Sequence, residues 1–253
     1  MERSISYPAN LVHSVHVRLG WAQVELLRTD AQDVQTIVAG DEHSVKELHI
    51  RHEDGKLVIE QPQYGLSLNL NSKWMQVCVR VPAAWHGDIA LTTVSGALSL
   101  KDVRGGEVSL DTVSGTVLAD QLDCAALTLT AVSGAVQATR VTGNTLRVRN
   151  VSAAIGLHEV RFETGRVTTV TGHVALNFSA PFRTLDLQSV SADIDVQLPG
   201  GKAEASLRSV SGRLTLNGLS GGEHPPTVQA ATVTGNVTIA GISDEADTAS
   251  TQA

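Results

Sequence analysis

A valine followed by a hydroxyl residue and then a very small one returns eight times after residue 90, and this repeat limits the folds open to the chain. The copies are Val94-Ser95-Gly96, Val113-Ser114-Gly115, Val132-Ser133-Gly134, Val151-Ser152-Ala153, Val170-Thr171-Gly172, Val190-Ser191-Ala192, Val210-Ser211-Gly212 and Val233-Thr234-Gly235. Successive valines are 19 residues apart four times, 20 apart twice and 23 apart once. The long interval contains Gly221-Gly222-Glu223-His224-Pro225-Pro226, which is loop chemistry, so one insertion accounts for the irregularity.

Apolar residues keep fixed offsets from the motif valine: five and three before it, then four and six after it. The third copy shows them as Leu127, Leu129, Val132, Val136 and Ala138. Across eight copies these five columns give forty positions, of which Gly165 alone is not apolar, whereas a 42% apolar chain would fill about seventeen by chance. A spacing of two is the strand period, so each pair points to one face of a short strand, and the steps around Val132 mark a turn. Some 19 residues cannot close a core alone. Coils stacked about 4.8 Å apart can, because each strand then pairs with its equivalent above and below.

The pattern predicts an all-β parallel solenoid: a single-stranded β-helix of about 19–20 residues per coil, right-handed by the general preference of parallel crossovers, with the motif valines in a dry aliphatic core. The second motif column, always Ser or Thr, can bond to a neighbouring coil's backbone at a bend, and the small third residue permits a tight corner. Because Ala153 and Ala192 occupy that third column, a positive φ is not expected to be obligatory there.

The first third is more degenerate. Val15-His16-Val17-Arg18-Leu19-Gly20 with Val24 and Leu26 reads as a worn copy, and 57–59 and 77–81 read as strands. The expected organisation is an irregular strand-rich cap over 1–86, regular coils over 87–242 and a disordered polar tail over 243–253. Trp21, Trp74 and Trp85 all fall in the cap and would suit one apolar cluster.

A net charge of −7 without a basic run argues against nucleic acid as a partner. No stretch approaches the roughly 18 apolar residues of a membrane span, and the start lacks a basic segment followed by an apolar one, so the expectation is a cytoplasmic chain. Cys78 and Cys124 read as reduced, small strand residues.

Eight equivalent serines or threonines do not make a nucleophile, which needs one positioned base and an oxyanion site. The column two before the valine reads Thr92, Asp111, Thr130, Arg149, Thr168, Gln188, Arg208 and Ala231, with no acidic patch of the kind polysaccharide-cleaving β-helices carry. His173, Asp193 and Arg213 share one outward offset in consecutive copies and predict an exposed ion-pair ladder. The spacings His13/His16 and His49/His52 put each pair of rings on opposite strand faces, which disfavours a metal. The residues therefore predict no catalytic site, cofactor or metal. A protein partner or self-association remains, the open coil after Val233 being the candidate end for self-assembly.

The recurring V-[ST]-[GA]-x-[VIL]-x-[LAVI] unit, preceded by strands ending at Val79-Arg80-Val81-Pro82, resembles the bacterial putative-adhesin family of β-strand repeat proteins, of the domain of unknown function 4097 type. The resemblance runs to about residue 242. It implies a non-enzymatic protein of unassigned role, with a loose link to envelope or membrane-stress functions, and surface adhesion if the chain is exported.

Overall fold

The computed structural model describes residues 1–62, 74–200, 203–219 and 225–242. The expected disordered tail, 243–253, and residues 221–224 of the expected loop lie outside the described residues.

The described chain is all-β apart from one turn of 3-10 helix and one short α-helix. In order come β1 (Glu2–Pro8), β2 (Ser14–Leu19), β3 (Gln23–Thr29), β4 (Asp33–Gly40), α1 (Glu42–Glu47), β5 (His49–Glu53), β6 (Lys56–Glu60), β7 (Met75–Pro82) and β8 (Asp88–Thr93). There follow β9 (Leu98–Ser114), β10 (Val117–Phe178), β11 (Thr184–Pro199), β12 (Glu204–Ser211), β13 (Leu214–Asn217), β14 (Thr227–Thr234) and β15 (Val237–Ile242). All fifteen strands join one hydrogen-bonded sheet system.

Through the repeat the pairing is parallel, with sequence-equivalent residues stacked: Val117 lies on Leu98, Leu127 on Val108 and Thr184 on Thr164. Each backbone N–H and C=O of a rung is thereby satisfied by the rungs above and below. β10 is one run of extended backbone that stacks on itself, as the Asn150 Nδ2 to Thr169 Oγ1 hydrogen bond of 3.2 Å across 19 residues shows.

The inward columns are aliphatic. Leu127, Leu129, Val136 and Ala138 are buried, and so are their counterparts Val108, Leu110, Val117 and Ala119 one rung away. A further buried column escaped the sequence reading: Val103, Leu122, Val141 and Val160, nine residues after their motif valines. The residue before each, Asp102, Gln121, Arg140 and Glu159, has φ between +52° and +55°. This second corner reverses the chain with a left-handed residue that costs roughly 1–2 kcal/mol in a non-glycine, a cost the stacked rungs must carry. Arg28 pairs with Asp102 at 2.8 Å, and Arg140 with Asp120 at 2.6 Å, on that edge.

The motif valines are not in the core, which corrects the sequence reading. Val94, Val113, Val132, Val151, Val170, Val190 and Val233 are 41–53% exposed, and Val210 is 82% exposed. Strand alternation is the reason: with the residues five and three before the valine pointing inward, the next inward position is the one just before it. There Thr93, Thr112, Ala131, Asn150, Thr169, Ser189 and Thr232 are buried. At three of these rungs the hydroxyl closes the bend locally. Thr169 Oγ1 donates to the Thr171 carbonyl at 3.1 Å, Thr232 Oγ1 to Thr234 at 2.8 Å, and Ser189 Oγ accepts from Ala192 N–H at 2.8 Å.

The small third column has two causes. A Cβ on Gly115 would collide with the Gly96 carbonyl oxygen of the rung before, so backbone approach sets the limit there. Gly134 adds a φ of +133°, so a positive φ does occur at some copies although it is not required at all.

At both ends the rungs depart from chain order. The worn copy at 15–26 is a full rung: Val15 stacks on Ile89, Val17 on Leu91, and Val24 on Leu98. Beyond it lie β6 and β7, parallel to β2 and β3, and then β5 and β4, which run antiparallel and turn the pairing direction; β1 closes the edge of β4, again antiparallel. At the other end β14 sits between β11 and β12: Thr184 and Glu204 both pair with Thr227. Likewise β15 lies between β11 and β13. The last repeat in sequence is thus inserted beneath the one before it, and 204–217 is the final rung.

That exchange corrects two expectations. The outermost coil is not the one after Val233. The charge column also runs His173, Asp193, Asn236, Arg213: Asp193 accepts from Asn236 N–H at 2.8 Å and Nδ2 at 3.1 Å, and Arg213 N–H donates to Asn236 Oδ1 at 3.2 Å. His173 is in register with Asp193, but its Nε2 lies 3.6 Å from the Asp195 carboxylate. The three tryptophans do not share a cluster either, since Trp74 is 58% exposed while Trp85 is buried, its Nε1 donating to the Val12 carbonyl at 2.6 Å.

Candidate functional site

The exposed valines form one row, in the order 94, 113, 132, 151, 170, 190, 233, 210, because the registers place each on its equivalent. Seven steps of about 4.8 Å give a ridge roughly 34 Å long. β-Branched side chains at the strand ends pack against their neighbours along the row, which fixes their rotamers and leaves an ordered apolar edge facing solvent.

Beside the ridge runs the second motif column. Ser114 Oγ reaches the Val94 carbonyl at 3.4 Å, Ser133 the Val113 carbonyl at 3.2 Å, Thr171 the Val151 carbonyl at 3.2 Å and Thr234 the Val190 carbonyl at 3.4 Å. Each hydroxyl donates to the backbone one rung away, so these side chains brace the corner. Ser95 does the same toward the Gly20 carbonyl at 3.4 Å, which extends the corner to the rung formed by β2 and β3. Among the described residues the partners of these hydroxyls are backbone carbonyls, not imidazoles.

A cleft of about 860 Å³ lies away from the ridge, between the 3-10 turn and the segment following β7. His13, Asp30, Trp85, His86 and Asp88 line it. Two of its polar groups serve the fold: Asp88 Oδ1 accepts from Glu107 N–H at 2.8 Å, and the Trp85 indole is spent on Val12. His16 is on β2 and His52 on β5, where the His52 ring lies 5.0 Å from Tyr7 and its Nε2 is 3.0 Å from the Leu11 carbonyl. Among the described residues no three His, Cys, Asp or Glu side chains converge as metal ligands.

Both thiols are free. Burial, with Asp123 adding repulsion, pushes Cys124 up to about 12, and burial likewise raises Cys78. Neither environment favours a thiolate nucleophile.

The fold places the chain in a class of stacked β-repeat proteins whose corners, not a pocket, carry the ordered surface. The family model for Toastrack DUF4097 matches residues 13–240, and the chain belongs to that family. Among solved structures, it is similar to a putative adhesin from Parabacteroides distasonis, 14% identical with a TM-score of 0.60 over 96% of each chain. A putative adhesin from Bacteroides fragilis is 15% identical, with a TM-score of 0.57 over 96% of this chain and 97% of that one. A putative lipid binding protein from Parabacteroides distasonis is 14% identical, with a TM-score of 0.50 over 96% of each chain. At such identities the likeness is one of fold. A comparison with curated proteins finds no match. Among the described residues no helix is long and apolar enough to cross a membrane.

Sequence reasoning found the motif residues but put the valines on the wrong side. The signal that would have placed them was available: the polar column Thr93, Thr112, Asn150, Thr169 keeps the inward parity of Leu91, Leu110, Val148 and Val167. Apolar identity outvoted parity.

Proposed function

We propose that the protein is a non-enzymatic interaction scaffold that presents its corner ridge to a protein partner. The exposed valine row carries this reading, because an ordered apolar stripe of this length on a surface marks a binding face more often than a solvated one. The architecture we propose with it is a right-handed β-helix of 19–20 residues per coil, supported by the 19- and 20-residue register offsets. In this reading 1–86 serves as cap, 87–242 as the repeat body and 243–253 as a tail, with a cytoplasmic location and a link to envelope stress.

The test replaces Val132 by Glu and Val151 by Lys, opposite charges on adjacent rungs, and compares crosslinked partners recovered from native cells. The expected result is loss of the specific crosslinked species with an unchanged melting curve. Undiminished recovery, or turnover of a substrate by the purified chain, would defeat the proposal. A second reading, surface adhesion, is favoured by the names of the similar structures from Parabacteroides and Bacteroides. Cell fractionation separates the two, since only the second requires the protein outside the cell.

A further inference from the structure

The rung formed by β12 and β13 pairs on one side only among the described residues. Its inward column shows what that leaves open. Leu214 and Leu216 stack on Val237 and Ile239, which are fully buried, yet they are themselves 37% and 49% exposed. Ala205 and Leu207 stack on the buried Val228 and Ala230 and are only partly covered. The end therefore exposes core side chains and a row of unpaired backbone groups together, a template for another strand.

Among the described residues the opposite end offers no equivalent. There antiparallel β4 and β5 change the pairing direction, and the outer strands alternate with exposed charge or polarity: Glu2, Ser4 and Ser6 on β1, ending at Pro8, and His49, Arg51 and Glu53 on β5. A second copy adding its parallel terminal rung there would meet a mismatched edge. Nor does the chain's own tail suit the open rung, since 243–253 contains no Val, Leu, Ile or aromatic residue.

We infer that the open rung is covered by the same rung of a second copy, giving a closed head-to-head dimer. A two-fold operation makes the new pairing antiparallel, and the residues of β12 fit such a register centred on Ser206. Ala205 then faces the second copy's Leu207, keeping inward side chains with inward ones. Glu204 faces the second copy's Arg208, and Arg208 the second copy's Glu204, so two opposite-charge pairs form across the junction. Within the molecule these two groups stack on Thr227 and Ala231, which carry no charge. On β13 the matching register, centred on Thr215, sets Leu214 against the second copy's Leu216. Because the two-fold pairing uses the open rung of both copies, association through that rung stops at two.

A single rung covers less than the ~1,200 Å² of a standard stable interface, so the dimer is expected to be weak, with half-association on the order of 100 µM. The inference uses the end rung and not the valine row, so it stands or falls separately from the partner reading. Sedimentation equilibrium of the full chain from 5 to 500 µM, a range set by that ~100 µM estimate, should show a monomer–dimer equilibrium without larger species. Arg208→Glu, which sets Glu against Glu in both pairs, should weaken the dimer at least about tenfold; the double exchange Glu204→Arg with Arg208→Glu should restore it. Circular dichroism and melting should be the same for all three, as both side chains are exposed. A monomer throughout the range, growth beyond two, or a dimer indifferent to the charge changes would overturn the inference. So would a dimer that appears only when 243–253 is deleted, because the tail would then be the occupant.

Discussion

The two ends of the molecule solve one problem differently. A stack of identical parallel rungs has an unsatisfied backbone edge at each end, and nothing in the repeat terminates it. At the N-terminal end the chain overshoots by a rung, changes direction through β4 and β5, and ends the sheet in antiparallel strands. At the C-terminal end it overshoots by a rung as well, through β12 and β13, but then threads its last repeat back underneath and leaves the overshot rung outermost. One end finishes in antiparallel strands that have abandoned the repeat and alternate with exposed polar side chains; the other keeps the repeat and exposes it.

The comparison is sharpened most by deleting matched side chains. Leu129 is fully buried in mid-stack, and Leu129→Ala should cost about 2–5 kcal/mol by urea denaturation. Leu216→Ala, half exposed on the open rung, should cost less than about 1 kcal/mol. Equal losses would mean that the last rung is covered in solution by more than the fold supplies.

Replacing Gly115 by Ala tests the body against the ends in another way. Its Cβ would strike the Gly96 carbonyl, so the rungs must part, and a loss of about 2–3 kcal/mol in unfolding free energy is expected. Hydrogen exchange gives a gentler reading: amides of β12 and β13 should exchange well before those of β10, and before those of β7, which is paired on both sides by β3 and β4. Protection of β12 equal to that of β10 at low protein concentration would erase the asymmetry.

The smallest effect lies in the cap. Asp41 accepts from Ser44 N–H at 3.0 Å as the N-cap of α1, and that bond holds its carboxyl below the ordinary value of 3.8. A folded-state pKa that is depressed adds stability above the unfolded value and gives it up as pH falls through the folded one. Asp41→Ala should therefore cost about 0.5–1 kcal/mol at pH 7 and progressively less below pH 3.8. A pH-independent difference would mean that the side chain acts by packing alone.

Much of the fold could be read from particular columns. Leu127, Leu129, Val136 and Ala138 recur with apolar counterparts every 19 or 20 residues, and only parallel stacking buries such columns without long intervening helices. The corner hydroxyls were legible for the same reason, since a repeated Ser or Thr at a bend has a repeated backbone acceptor one rung away. The ridge was not, because valine is as common on an ordered strand surface as in a core, and only alternation from Leu91 through Thr93 to Val94 decides between the two. The second corner was hidden as well: Asp102, Gln121, Arg140 and Glu159 share a backbone conformation but no chemistry.

By itself, then, the sequence determined a local rule: where the Val-Ser-Gly corner turns, which aliphatic pairs flank it inward, and at what period the pattern repeats. The order of the rungs was decided only in three dimensions. Neighbouring repeats are nearly interchangeable as stacking partners, so the inward pattern of 204–216 is satisfied on either side of 227–239. Which of the two becomes the molecule's end is a matter of how the connecting segments cross, and that is a global property that no single repeat encodes.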